Sequence, residues 1–110
     1  MAKGSHLGDL EELILLAVMR LGEEAHGGRI VEELKAQAGR ALSISTIYVT
    51  LMRLEEKGYA HSWKGEPTAS RGGKAKRHYE VTPAGVEVLR SVREVRERMW
   101  DGVTEGPAHA

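Results

Sequence analysis

The sequence predicts a mainly α, α+β domain: three short helices, one β-hairpin and a long last helix, in that order. Three observations lead there. Between residues 9 and 58, three windows carry apolar side chains at helical spacing, and each closes on a glycine (Gly22, Gly39, Gly58). Two short aromatic-containing segments, "YAHSWK" and "KRHYEV", flank the Gly/Pro/Ser-rich "GEPTASRGGKA", the pattern of a hairpin with a long tip. Beyond it, "TPAG" sets a capping hydroxyl and a proline at a helix start.

Residues 1–8, "MAKGSHLG", are small and polar and are expected to form a flexible arm. In "DLEELILLAVMRLG", Asp9 followed by Glu12 reads as a capping box. Leu10, Leu13, Ile14, Ala17, Val18 and Leu21 then share one helical face. After the turn "EEAHGG", the helix "RIVEELKAQAG" points Ile30, Val31, Leu34 and Ala38 inward. The third window, "SISTIYVTLMRLEEKG", is rich in β-branched residues that favour strands. Counting decides it. Ile44, Ile47, Leu51 and Leu54 fall on one helical face with Tyr48 at its edge, whereas a strand would scatter them over both faces. Ser43 is a suitable N-cap and Gly58 a suitable stop. The last helix runs from Pro83 to Gly102, with Thr82 as its N-cap, and residues 103–110 form a flexible tail.

Bulk properties narrow the function. The chain has 110 residues and 41% hydrophobic content, enough for one domain with a real core. It has no cysteine, which excludes disulfides and thiolate metal sites. The longest apolar run, Leu13 to Met19, is far shorter than the roughly 20 residues of a membrane span. No signal segment opens the chain, so a cytoplasmic protein is expected. Sixteen basic and sixteen acidic residues cancel, yet Lys64, Arg71, Lys74, Lys76 and Arg77 crowd around the hairpin tip against Glu66 alone. The histidines show no metal-binding spacing; His61 and His78 alone are placed to face each other across the hairpin. "RGGK" lacks the strand–loop–helix context of a phosphate loop. The glutamate pairs (11–12, 23–24, 32–33, 55–56) read as solvated surface. No catalytic residue, metal or cofactor is indicated, and the chain is not expected to be an enzyme.

Three helices followed by a hairpin is the winged helix-turn-helix order, in which the third helix enters the DNA major groove and the wing reaches the backbone or minor groove. The expected DNA-binding domain is 9–82, followed by an expected dimerisation helix, 83–102. The outward face of the third helix then holds Ser45, Thr46, Val49, Thr50 and Arg53, with Ser43 at its start. Small hydroxyls allow close approach to phosphates or base edges, Val49 suits a thymine methyl, and Arg53 suits a phosphate or guanine. No acidic residue occurs from Gly39 to Leu54, where DNA would repel one. Tyr48 stands at the core edge, within reach of a phosphate. Trp63 is expected to support the wing or enter the core. A winged-helix protein-interaction module that never touches DNA is the alternative left open.

Two stretches carry a family resemblance. "STIYVTLMRLEEKGY" and "RGGKAKRHYEVTPAG" are similar to the helix-three and wing-to-last-helix signatures of PadR-type transcriptional regulators, and "LGDLEELILLAV" is similar to their opening helix. The resemblance covers about residues 7 to 101. It implies a homodimeric transcription factor, usually a repressor, on a pseudo-palindromic double-stranded DNA operator. The family's helix-three tyrosine corresponds to Tyr48 and its basic wing to Arg71, Lys74, Lys76 and Arg77. Lys74 stands where many members have arginine, which keeps phosphate attraction but not bidentate geometry. In the last helix Val88, Val92, Val95 and Met99 follow coiled-coil spacing, with Leu89 beside them, so a second copy is the expected partner. The short C-terminal part resembles the compact subgroup with a single dimerisation helix. By that resemblance Trp100 is either an interface residue or a contact for a small aromatic effector.

Overall fold

The computed structural model describes residues 6–65 and 76–104. The elements are α1 (Asp9–Leu21), a 3-10 turn (Gly22–Glu24), α2 (Gly27–Ala38), α3 (Ile44–Glu56), β1 (Ala60–Lys64), β2 (Arg77–Val81) and α4 (Pro83–Trp100). The fold class is the expected one, a winged helix-turn-helix.

Helices α1, α2 and α3 pack on one another around a single core. Ile14, Leu15, Ile30, Ile47, Leu51 and Leu54 lose all contact with solvent. Burying each such side chain favours folding by roughly 1.5–3 kcal/mol. Two inward expectations need correcting. Leu15 is buried although it was not on the expected face, and Ala38 is exposed because α2 ends there.

The start of α1 also differs from expectation. Gly8, not Asp9, is the N-cap, and the Glu11 carboxylate accepts a hydrogen bond from the Gly8 amide at 2.8 Å. Glu12 instead accepts from Arg96 of α4 at 2.8 Å. The arm is tied down at its end: Lys57 Nζ donates to the His6 carbonyl at 3.0 Å and to Glu11 at 2.8 Å, and Leu7 packs against the core. Residues 1–5 of that arm lie outside the described residues.

The two strands pair antiparallel, with Ser62 opposite Tyr79 and Trp63 opposite His78. A single bridge, His26 to His78, adds the segment before α2 to the sheet edge, and the Tyr79 amide donates to the Ala25 carbonyl at 2.9 Å. Paired residues share a face, so Ala60, Ser62 and Tyr79 face the core while His61, Trp63, His78 and Glu80 face away. His61 therefore meets Glu80, at 2.7 Å, and not His78 as expected. Trp63 keeps 45% exposure and enters no core. Its ring lies between those of His61 and His78, at centroid distances of 5.5 and 5.9 Å.

Thr82 caps α4, accepting from the Gly85 amide at 3.0 Å and donating to the Gly58 carbonyl at 2.6 Å. The first turns of α4 are spent on its own domain. Leu89 is buried in the core and Val88 packs against it, so neither is free for the dimer seam assigned to it. From Arg93 onward every α4 side chain is exposed.

Candidate nucleic-acid interface

Helix α3 owes its position to three fully buried side chains, Ile47, Leu51 and Leu54. Its start is held by hydroxyls. Ser43 Oγ accepts from the Thr46 amide at 3.2 Å, and lies 3.1 Å from Ser45 Oγ and 2.9 Å from Thr46 Oγ1. Such a cap contributes about 1 kcal/mol. Thr50 is not on the outward face, as the helical count had placed it. It is 5% exposed and its hydroxyl donates to the Thr46 carbonyl at 2.9 Å. A threonine inside a helix satisfies itself this way when no water can reach it.

Ile44, counted as an anchor, is 43% exposed and lies at the rim of the helix pair. Tyr48 is exposed too, with its hydroxyl directly over Gly27 at the start of α2. A Cβ at Gly27 would come within 2.5 Å of that hydroxyl and 2.8 Å of Ile44 Cδ1. The glycine therefore sets how closely α3 crosses α2. The outward surface of α3 consists of Ser45, Tyr48, Val49, Met52 and Arg53, flanked by Ile44 and Glu56. The Arg53 side chain is exposed, and its positive charge helps to hold the Glu11 carboxyl low. Thr46 is half-buried.

The wing is fixed to this helix by a short relay. Arg77 Nη1 donates to Ser62 Oγ at 2.9 Å, and Ser62 Oγ donates to the Glu55 carboxylate of α3 at 2.8 Å. Arg77 is thus partly a strut. Its strand neighbour Lys76 and cross-strand partner Lys64 are exposed. Arg71 and Lys74, assigned to the wing tip, lie outside the described residues. The helix surface and the wing stem together present Arg53, Lys64, Lys76 and Arg77, and a duplex phosphate backbone rewards such an arrangement.

Electrostatics inside the domain serve structure. Burial would raise the Glu11 carboxyl, but the Lys57 ammonium and the Gly8 amide outweigh it and hold it below the usual carboxylate value. Burial pushes the His26 imidazole down, helped by the positive charge of Lys76 and by His78. Burial also raises the Tyr79 phenol, as do Tyr48 and Glu55. Among the described residues no group of three or more histidine and carboxylate side chains could hold a metal ion. None of the described helices is long and apolar enough to cross a membrane.

A second surface lies between α1 and α4. Leu16 and Met19 of α1 join Val86, Leu89 and Trp100 of α4 around an open groove. Leu16, Met19, Val95, Met99 and Trp100 are all exposed, Met99 to 73%. Arg96 crosses the groove to Glu12, and that contact raises its pKa further. The sequence reading missed Leu16, Met19 and Met52. The first two had a visible signal: an unbroken apolar run from Leu13 to Met19 cannot fit on one helical face, so part of it must lie outside the core-facing stripe. Met52 lies one helical turn beyond Val49 on the exposed side of α3.

Comparison with known proteins agrees with this architecture. Residues 15–91 match the model of the transcriptional regulator PadR-like family. The transcriptional regulator Rv3488 of Mycobacterium tuberculosis is 35% identical over 86 residues, which cover 78% of this chain and 76% of that protein. The crystal structure of a PadR family transcriptional regulator from Eggerthella lenta superposes with a TM-score of 0.63 at 30% identity, covering 86% of this chain and 81% of the other. Bacillus subtilis PadR, solved in complex with operator DNA, superposes with a TM-score of 0.61 at 19% identity, over 90% of this chain and 49% of that one. Transcriptional regulator is the description that these relatives share, and it is the class expected from the sequence. The match over most of the chain, together with the winged helix it folds into, makes this protein a member of the PadR-like family of transcriptional regulators.

Proposed function

We propose that this regulator binds double-stranded operator DNA as a homodimer and acts as a repressor on a pseudo-palindromic site. Helix α3 enters the major groove through Ser45, Tyr48, Val49, Met52 and Arg53, while the wing over 64–78 lies on the backbone or in the minor groove. The observation that carries the reading is the acid-free stretch 39–54, whose exposed side ends at Arg53, with a basic wing strapped to the same helix through Ser62. The Bacillus subtilis relative solved with operator DNA supports it at the level of the fold. The half-buried Val92 and the exposed Val95 and Met99, with the exposed Leu16 and Met19 beside them, supply the surface for a second copy. Two third helices would then meet successive major-groove turns, about 34 Å apart.

The test is a gel shift with fragments of the source genome. Submicromolar binding that weakens steeply with salt is expected, since phosphate contacts release counterions. Binding that ignores salt, or no binding to any fragment, would sink the proposal and favour a protein-interaction module. Arg53→Ala should weaken operator binding more than binding to random DNA if Arg53 reads a base, and both equally if it holds a phosphate.

Trp100 is 62% exposed on the α1–α4 groove, which supports its reading as the contact for a flat aromatic effector. Because Trp63 is also exposed, quenching by such compounds has to vanish in Trp100→Phe and persist in Trp63→Phe.

A further inference from the structure

The exposed side of α3 is less polar than its sequence promises. At the cap the Ser43 hydroxyl is within hydrogen-bond distance of those of Ser45 and Thr46, and that of Thr50 is spent inside the helix. What faces outward in the middle of the helix is hydrocarbon: Tyr48 is 45% exposed, Val49 44% and Met52 54%. The Tyr48 hydroxyl end of the ring lies over Gly27. Val49 and Met52, three residues apart on adjoining turns, remain uncovered, with Arg53 next in line. Single exposed apolar residues are ordinary, but a contiguous pair on the surface offered to DNA is not neutral. In the major groove the apolar feature of a base edge is the thymine C5 methyl group.

We infer that Val49 and Met52 read thymine methyl groups, so that each operator half-site carries thymine beneath the middle of α3. Hydrocarbon contact, more than hydrogen bonding by the serine and threonine hydroxyls, then sets the sequence preference. Arg53, one residue further along, fixes the helix by charge. The inference rests on the DNA-binding reading above and adds to it the chemical feature of the operator that is recognised.

The experiment starts from an operator selected out of genomic fragments. Each thymine of one half-site is replaced by deoxyuridine, which removes only the methyl, and Kd is measured by fluorescence anisotropy at fixed salt. For the wild-type protein one or two positions should lose about fourfold in affinity, the equivalent of one buried methyl-sized group. Val49→Ala and Met52→Ala should bind the thymine operator more weakly and no longer distinguish thymine from deoxyuridine at those positions. Both side chains are exposed, so the variants should melt with the wild type in circular dichroism. Ser45→Ala should leave the thymine-to-deoxyuridine ratio unchanged. Equal wild-type affinity for thymine and deoxyuridine at every position would overturn the inference while leaving DNA binding intact. So would variants that keep the full discrimination. A failure to capture any fragment would remove the DNA-binding reading itself.

Discussion

A methyl group at Gly85 would run into the Tyr59 carbonyl oxygen and the Val81 side chain. Alanine is the better helix former by about 1 kcal/mol, so intrinsic propensity alone predicts that Gly85→Ala stabilises α4. The backbone oxygen cannot move aside, and we expect the opposite: a loss of roughly 1–3 kcal/mol in denaturant unfolding, typical of overpacking. Gly27→Ala is the contrasting case, because its obstacles are the ends of the Tyr48 and Ile44 side chains. Its cost should shrink in a Tyr48→Ala background, and a double-mutant cycle would show the coupling. His26 makes a third prediction at this scale. Its folded-state pKa is depressed, by burial first and then by Lys76 and His78. Below its ordinary value of 6.5 the unfolded chain binds a proton that the folded chain resists. Stability should therefore fall as pH drops from about 7.5 to 5.5, and thermal melts of His26→Gln should show a shallower slope. Neither glycine contact is visible in sequence, where Gly27 reads as a turn residue and Gly85 as part of "TPAG". Each depends on which chain segment arrives opposite it.

Among the elements, α3 shows best how far counting goes. Its limits and its buried ridge (Ile47, Leu51, Leu54) follow from periodicity, because three fully apolar positions at helical spacing leave one way to turn the helix. The positions at the edge of that ridge were harder. Thr50 went inward and Ile44 outward, since the angle between α2 and α3 decides which edge is covered. The hairpin behaves alike: its strands were legible, but register put His61 against Glu80 and turned Trp63 outward. A shift of one residue would have exchanged the two faces. For α4, the exposed Val95 and Met99 lead to a prediction about assembly. Val95→Glu with Met99→Glu should convert a dimer to monomers in sedimentation, leave the monomer's melting behaviour close to the wild type, and weaken operator binding by at least about tenfold. A dimer that survives both changes would place the interface elsewhere.

For the molecule as a whole, two surfaces compete for the same few apolar residues. The body spends Leu89 and part of Val88 on its own core and anchors α4 through Arg96 and Glu12, leaving the far half of the helix exposed. Disturbing that anchor with Arg96→Ala should do little to stability, because the Arg96 end of the pair is exposed to solvent, which screens it. It should instead broaden the spacing between half-sites that the dimer accepts, measured on operators with inserted base pairs. The sequence by itself determined the element order, most of the buried ridge of the first three helices, the basic wing and the acid-free third helix. Those follow from local periodicity and charge, which need no knowledge of neighbours. The tertiary structure alone decided that Gly27 carries Tyr48, that Ser62 straps the wing to Glu55, that Leu89 belongs to the core, and that Val49 and Met52 are the uncovered face of α3. Each of these depends on two segments distant in the chain meeting at a particular angle, and burial is a property of that meeting, not of either segment alone.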